Sequence, residues 1–191
     1  ILFGMLYIAG AKPSLLLGII GSGLAVVVLA VGLHLSPLQL PLPLEDYQIN
    51  RLTAFIDPYK DPHGTGYHII QSLVAVGSGG PFGKGLYHGT QVQLNFLPEH
   101  HTDFIFSVVG EELGFVGAAF ILLLYYILIS RTIRVTFQSR DLFGRLVAGG
   151  IVCMWLFHIF ENVGMAIGLM PVTGIPLPFL SHGGSFMITN L

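Results

Sequence analysis

Residues 13–44 carry no Asp, Glu, Lys or Arg, and their core, "SLLLGIIGSGLAVVVLAVGLH" at 14–34, matches the roughly 20 apolar residues that a helix needs to cross a hydrocarbon layer. In lipid such a segment has no water to satisfy its backbone, so it must form a helix that bonds within itself. Two further runs share this character: 113–130, "LGFVGAAFILLLYYILIS", which is followed by Arg131 and Arg134, and 146–167. The chain is 53% hydrophobic and only 9% charged over 191 residues, whereas a soluble domain carries about 25% charge. The expected fold class is therefore all-α, a polytopic transmembrane helix bundle forming one domain. A net charge of −2 offers no basic surface for nucleic acid. The single cysteine, Cys153, sits in an apolar run beside Met154 and Trp155; it excludes an internal disulfide and reads as a small buried hydrophobe.

The chain opens without methionine and stops within the apolar run "GGSFMITNL", so it reads as an internal fragment. Residues 1–10 resemble the tail of an earlier span, and 183–191 the start of a last helix. The segment "GTGYHIIQSLVAVGSGGPFG" is uncharged but interrupted by glycine and proline. It reads either as a half-broken or re-entrant helix, counted as a span over 67–80, or as a short helix followed by a Gly-Pro loop. Loops rich in Lys and Arg stay in the cytoplasm. The cluster Arg131, Arg134, Arg140 and Arg145 then marks a cytoplasmic loop, and the preceding loop, 81–112, lies outside. The stretch "EDYQINRLTAFIDPYKDPHGT", with Arg51 and Lys60, falls inside if 67–80 crosses, while "GLMPVTGIPLPFLSHGGS" emerges outside.

Four of the ten acidic residues are gathered in the outer loop. "LPEHHTDFIFSVVGEEL" holds Glu99, Asp103, Glu111 and Glu112 with His100 and His101. Pro98 is placed to start a helix, on which Glu99 and Asp103 would share a face. Asp103 precedes the apolar "FIFSVVG", and an ionisable group at a membrane boundary is a functional candidate. It can act as a general base or ligate a hard cation such as Mg2+. Glu99, Glu111 and Glu112 read as solvated acids at helix ends. The adjacent histidines point about 100° apart on a helix and cannot both face one ion, so they read as ordinary interfacial residues. His34, His68 and His158 stand singly in apolar helices and read as packing residues. Glu161 and Asn162 interrupt an otherwise uncharged run, as part of a polar cavity or as a helix-packing hydrogen bond. "GSGGPFGKGL" lacks the GxxxxGK[ST] pattern of a phosphate loop, although Lys84 is the only Lys or Arg between Lys60 and Arg131 and can neutralise a phosphate.

Three stretches, "RLTAFIDP", "FLPEHHTDFIFSVVGEELGFVG" and "NVGMAIGLMPVTGIPLPFLSHGGS", in this order, resemble the SEDS family, whose members RodA, FtsW and SpoVE act in bacterial cell-wall synthesis. "GTQVQLNFLPEHHTDFIF" leans toward the elongation branch. The resemblance implies a ten-helix protein of the cytoplasmic membrane of which this is about the C-terminal half. It further implies peptidoglycan glycosyltransfer, the polymerisation of lipid II into glycan strands on an undecaprenyl-linked donor, with a class B penicillin-binding protein transpeptidase as partner. The family's catalytic acid maps onto Asp103. Lys84, Glu99, His101, Thr102, Glu112, Ser181 and Ser185 then fall to substrate binding, and the pyrophosphate leaving group leaves room for a divalent cation, Mg2+ or Mn2+, with Asp103 as a possible ligand. Where the family reads Ser-Tyr-Gly-Gly-Ser, this chain has His182 in the tyrosine's place. Two other activities fit the same pattern: a flippase for the lipid-linked precursor, and a scaffold for the transpeptidase.

Overall fold

The computed structural model describes residues 1–35, 51, 53–60, 64–94, 96–97 and 101–182. Among these the regular structure is entirely helical: α1 (Leu2–Ile8), α2 (Pro13–Leu35), α3 (Thr65–Gly79), α4 (Thr90–Gln93), α5 (Ile105–Glu112), α6 (Gly114–Gln138) and α7 (Leu142–Ala166), with a 3-10 turn at Pro58–Lys60. The expected last helix, 183–191, lies outside the described residues. The chain divides into two compact units, residues 1–46 with 132–153 and residues 47–131 with 154–191.

Helices α2, α6 and α7 have 23, 25 and 25 residues. At 1.5 Å per residue they reach about 35 Å, enough for a hydrocarbon layer of about 30 Å. Pro13 opens α2 at a position where its missing N–H costs nothing. The long helices keep large apolar side chains on their outer surfaces, among them Leu17, Val26, Phe115, Tyr126 and Phe160. Apolar surface of that extent suits lipid as the surrounding solvent. In the first unit Asp141 caps α7, its Oδ2 accepting the Gly144 N–H at 2.7 Å, and that bond holds its carboxyl below the usual range.

Helix α3 does not extend to a span. Its 15 residues cover roughly 22 Å, and Gly80, at φ 58°, ends it before Pro81. It is a short helix followed by a Gly-Pro loop, and it docks on protein in the second unit. Fifteen residues fall short of the roughly 20 that a crossing needs, and the placement of Arg51 and Lys60 on the inner side is conditional on that crossing. Gly79 lies so close to α5 that a Cβ there would stand 1.9 Å from the Gly110 carbonyl oxygen. Deeper in, the Ser72 and Ser107 hydroxyls meet at 2.7 Å, and Ser72 Oγ donates to the Ala166 carbonyl at 2.7 Å. Since a hydroxyl has one proton, Ser107 is the donor to Ser72. Ala166 closes α7, and its carbonyl is one of the end groups that the helix itself leaves unpaired. Ser72 supplies that partner from α3.

Two apolar clusters pack around these contacts: Phe106, Tyr125, Ala166 and Leu177, and Leu97, Phe104 and Met165. The loop after Gly79 folds back over the α5–α6 junction. Lys84 N–H and Gly85 N–H donate to the Glu111 and Glu112 carbonyls, each at 3.0 Å, and Phe115 N–H donates to Gly80 O at 2.9 Å. Gly83 and Gly114 have φ of +77° and +66°, and a Cβ on Gly114 would reach 2.2 Å from Gly83 N, so both need to be glycine.

Glycine-to-alanine exchange inside a helix ordinarily stabilises by about 0.5–1 kcal/mol. In the full-length protein, Gly77→Ala, where nothing lies within 4 Å of the new methyl, should follow that rule. Gly79→Ala should instead lose about 1–3 kcal/mol through overpacking against Gly110, read as opposite shifts in thermal unfolding.

Candidate active site around Asp103

Asp103 lies in a turn over residues 101–104, and α5 begins after it with Phe104 as its N-cap. The expectation of a helix running from Pro98 through Asp103 is corrected here; Pro98, Glu99 and His100 lie outside the described residues. A turn leaves its carbonyls without helical partners, and three in succession are met by donors from the end of α7 and the loop beyond it. His182 N–H donates to His101 O at 2.8 Å, Ser181 Oγ to Thr102 O at 2.6 Å, and Asn162 Nδ2 to Asp103 O at 2.7 Å. Asn162 and Ser181 are buried. The same Asn162 amide donates to Ile175 O at 2.8 Å, and Ser181 Oγ accepts the Leu177 N–H at 2.7 Å. The main chain of the acidic turn is thereby fixed to the Pro-Gly loop.

The Asp103 side chain is treated differently. It is half-buried, and among the described residues its carboxylate takes no hydrogen bond or ion pair. Oδ2 lies over Gly174, where an added Cβ would come within 3.1 Å. Gly174, at φ +77°, keeps that approach clear. A fixed backbone carrying an uncommitted carboxylate is the arrangement a general base needs. Beneath it, His68 of α3 stacks on Phe104, with ring centroids 6.2 Å apart and planes 15° apart.

At the other end of α5, about 12 Å along the helix, lies a second polar group. Glu111 is fully buried, and its Oε1 accepts from Lys84 Nζ at 2.7 Å, Thr90 Oγ1 at 3.0 Å and Gln91 N–H at 3.1 Å. Lys84 Nζ also donates to Thr90 Oγ1 at 2.8 Å. Burial pushes the Glu111 carboxyl up, but the hydrogen bonds from Lys84, Gln91 and Thr90, with the Lys84 charge, outweigh it and hold the carboxyl below its usual range. Two expectations change. Glu111 is no solvated helix-end acid, and the Lys84 ammonium assigned to a phosphate is neutralised within the protein.

Of the other expected residues, His101 is exposed, Thr102 half-buried, and Ser181 acts through its hydroxyl on the backbone. Glu112 is half-buried beside Gly89 at the Lys84 end, away from Asp103. Ser185 lies outside the described residues. Glu161 resolves as a packing contact, its Oε1 accepting from Thr173 Oγ1 at 2.7 Å. Asn162 was singled out by its surroundings in the sequence, but its two carbonyl partners were not legible there. Among the described residues no three His, Cys, Asp or Glu side chains gather as a metal site, and no step is derived through a divalent ion.

A family profile described as "Cell cycle protein", covering FtsW, RodA and SpoVE, matches residues 1–191. The chain is 49% identical over 166 residues to the peptidoglycan glycosyltransferase MrdB of Escherichia coli K12, covering 87% of this chain and 44% of that protein. It is 47% identical over 190 residues to the stage V sporulation protein E of Bacillus subtilis 168, covering 98% and 48%. It also resembles, with a TM-score of 0.71 and 34% identity, a chain from a structural study of how a peptidoglycan synthase complex coordinates polymerization and crosslinking, covering 99% of this chain and 50% of that one. The chain thus spans about half the length of the curated relatives it matches.

Removing one member of the Lys84–Glu111 pair strands the other. In the full-length protein Lys84→Met should cost roughly 2–4 kcal/mol in thermal unfolding, and the double variant Lys84→Met/Glu111→Leu should recover most of it. Because the native Glu111 carboxyl titrates below its ordinary 4.5, the pair's contribution is complete above that value and disappears as pH falls through the depressed one. A stability profile of Glu111→Leu should accordingly lack that acid limb.

Proposed function

The chain belongs to the FtsW, RodA and SpoVE family of cell cycle proteins, and from that premise we propose that the full-length protein is a peptidoglycan glycosyltransferase that polymerises lipid II into glycan strands during cell elongation. The observation that carries this reading is Asp103, with its backbone carbonyl bonded by Asn162 and its carboxylate beside Gly174, taking no hydrogen bond among the described residues. The name of the Escherichia coli relative supports the activity.

Asp103 accepts the proton of the attacking sugar hydroxyl of the acceptor lipid II as that oxygen bonds to the anomeric carbon of the donor strand and the lipid pyrophosphate departs. Fixing the 101–103 carbonyls keeps the carboxylate at one distance from that hydroxyl, and such positioning lowers the barrier without any chemistry of its own. Placement of this site on the outer face of a multi-pass cytoplasmic membrane protein rests on the arginines in the last turns of α6 and just beyond it, which mark that end of the helix as cytoplasmic. His101, Thr102 and Glu112 are assigned to substrate contact, as are Glu99 and Ser185. The partner is a class B transpeptidase, supported by the resemblance to a chain of a complex that couples polymerization to crosslinking.

Polymerisation assayed with purified full-length protein, its partner and lipid II should fall about 100-fold or more in Asp103→Asn, the usual contribution of a general base. An Asp103→Asn protein that polymerises at the normal rate removes Asp103 from the role. Asn162→Asp replaces the donor to two carbonyls by an acceptor, and we expect kcat to drop about 10-fold with KM little changed, as when positioning alone is lost.

A further inference from the structure

The unit formed by residues 1–46 and 132–153 contains a cavity of about 620 Å3, within the range of about 300–1,000 Å3 that small-molecule sites occupy. Its walls include Ile8, Ile133, Phe137 and Val152, and its lining among the described residues includes two cations, Lys12 and Arg145, and no carboxylate. Gly149 allows the close packing at this place, since a Cβ there would stand 2.2 Å from Ile8 Cδ1.

Among the described residues neither cation makes an ion pair, and Arg145 has only a long Nη2–H bond of 3.4 Å to Ser139 O. The carboxylate nearest in sequence, Asp141, is engaged by Gly144 N–H at 2.7 Å and by Ser139 Oγ. The cavity lies where α6 ends and α7 begins, and the arginine cluster of that connection, of which only Arg145 lines the cavity, marks the cytoplasmic side and places its cations at the level of lipid headgroups. There the stems of Lys and Arg lie along apolar surface while their charges reach the interface. An apolar cleft lined by two cations with no ion pair among the described residues complements a molecule that is anionic at one end and aliphatic at the other. A soluble phosphate leaves the apolar walls unfilled, and a zwitterionic lipid brings a cation of its own.

We propose that this cavity holds one anionic phospholipid of the inner leaflet, its phosphate held by Lys12 and Arg145 and an acyl chain against Ile8, Ile133, Phe137 and Val152. The site is separate from the Asp103 turn and stands whether or not the proposed activity does.

Cys153 also lines the cavity and reports its occupancy. With full-length protein in nanodiscs, alkylation of Cys153 by N-ethylmaleimide is followed by peptide mass spectrometry, in phosphatidylcholine alone or with added phosphatidylglycerol. Phosphatidylglycerol should slow the reaction about 10-fold in the wild type. It should have little effect in Lys12→Gln/Arg145→Gln and full effect in Arg131→Gln/Arg134→Gln, which removes the same charge away from the cavity. Equal loss in both double variants means diffuse attraction and overturns the site. Protection by a polyprenyl phosphate but not by phosphatidylglycerol assigns the cavity to another lipid and overturns it as well. A Cys153 unreactive in phosphatidylcholine alone means that the protein's own chain fills the cavity, which also refutes the proposal.

Discussion

Three consecutive peptide carbonyls, those of His101, Thr102 and Asp103, set the terms for the second unit. A turn cannot pair them internally, and at the edge of lipid an unpaired carbonyl costs about as much as a lost hydrogen bond. The donors come from Asn162, Ser181 and the His182 backbone, all C-terminal to α6 in sequence. The acidic turn therefore has no settled conformation until α7 and the loop after it are in place. The Pro-Gly composition of that loop serves the same end, because Ser181 Oγ and the Ile175 carbonyl are free of regular secondary structure and can join the network.

Helix α5 links the two polar groups of this unit. At its N-terminal side it carries the pinned turn, and at its C-terminal end Glu111 is bonded by Lys84, Thr90 and Gln91. Eight residues make a helix too short to persist alone. It is stabilised by anchors at both ends and by the close approach of Gly110 to α3. A buried ion pair of this kind adds little net stability over an apolar pair, yet it specifies one arrangement, because each misplaced partner leaves a bare charge.

The long helices were legible because their cause is one-dimensional: an uncharged run of sufficient length must be helical in lipid. The structure has α2 at Pro13–Leu35, α6 at Gly114–Gln138 and α7 at Leu142–Ala166, where the apolar runs stand. Asp103 stood out as a candidate for a related reason, as a charge set against an apolar neighbour. What the sequence hid was pairing across distance. Nothing in the spacing of Lys84 and Glu111 joins them, so one read as a phosphate ligand and the other as a solvated acid. Ser72, Ser107 and Asn162 likewise act through main-chain or hydroxyl partners that no periodicity marks. The Gly-rich break after α3 left its course open between a crossing and a return, and the structure gives the helix 15 residues, fewer than a crossing needs.

Ser72 bears on how the chain assembles. Its hydroxyl receives from Ser107 and gives to Ala166, so a single chain of hydrogen bonds runs from α5 through α3 to the last turn of α7. In order of synthesis α3 and α5 precede α7, so the acceptor arrives last, to a donor already oriented by its neighbour. Completion of α7 and closure of the unit are then one event, and a ribosome that stalls before Ala166 would leave α3 and α5 as a half-built latch with a polar hydroxyl pair facing an apolar gap.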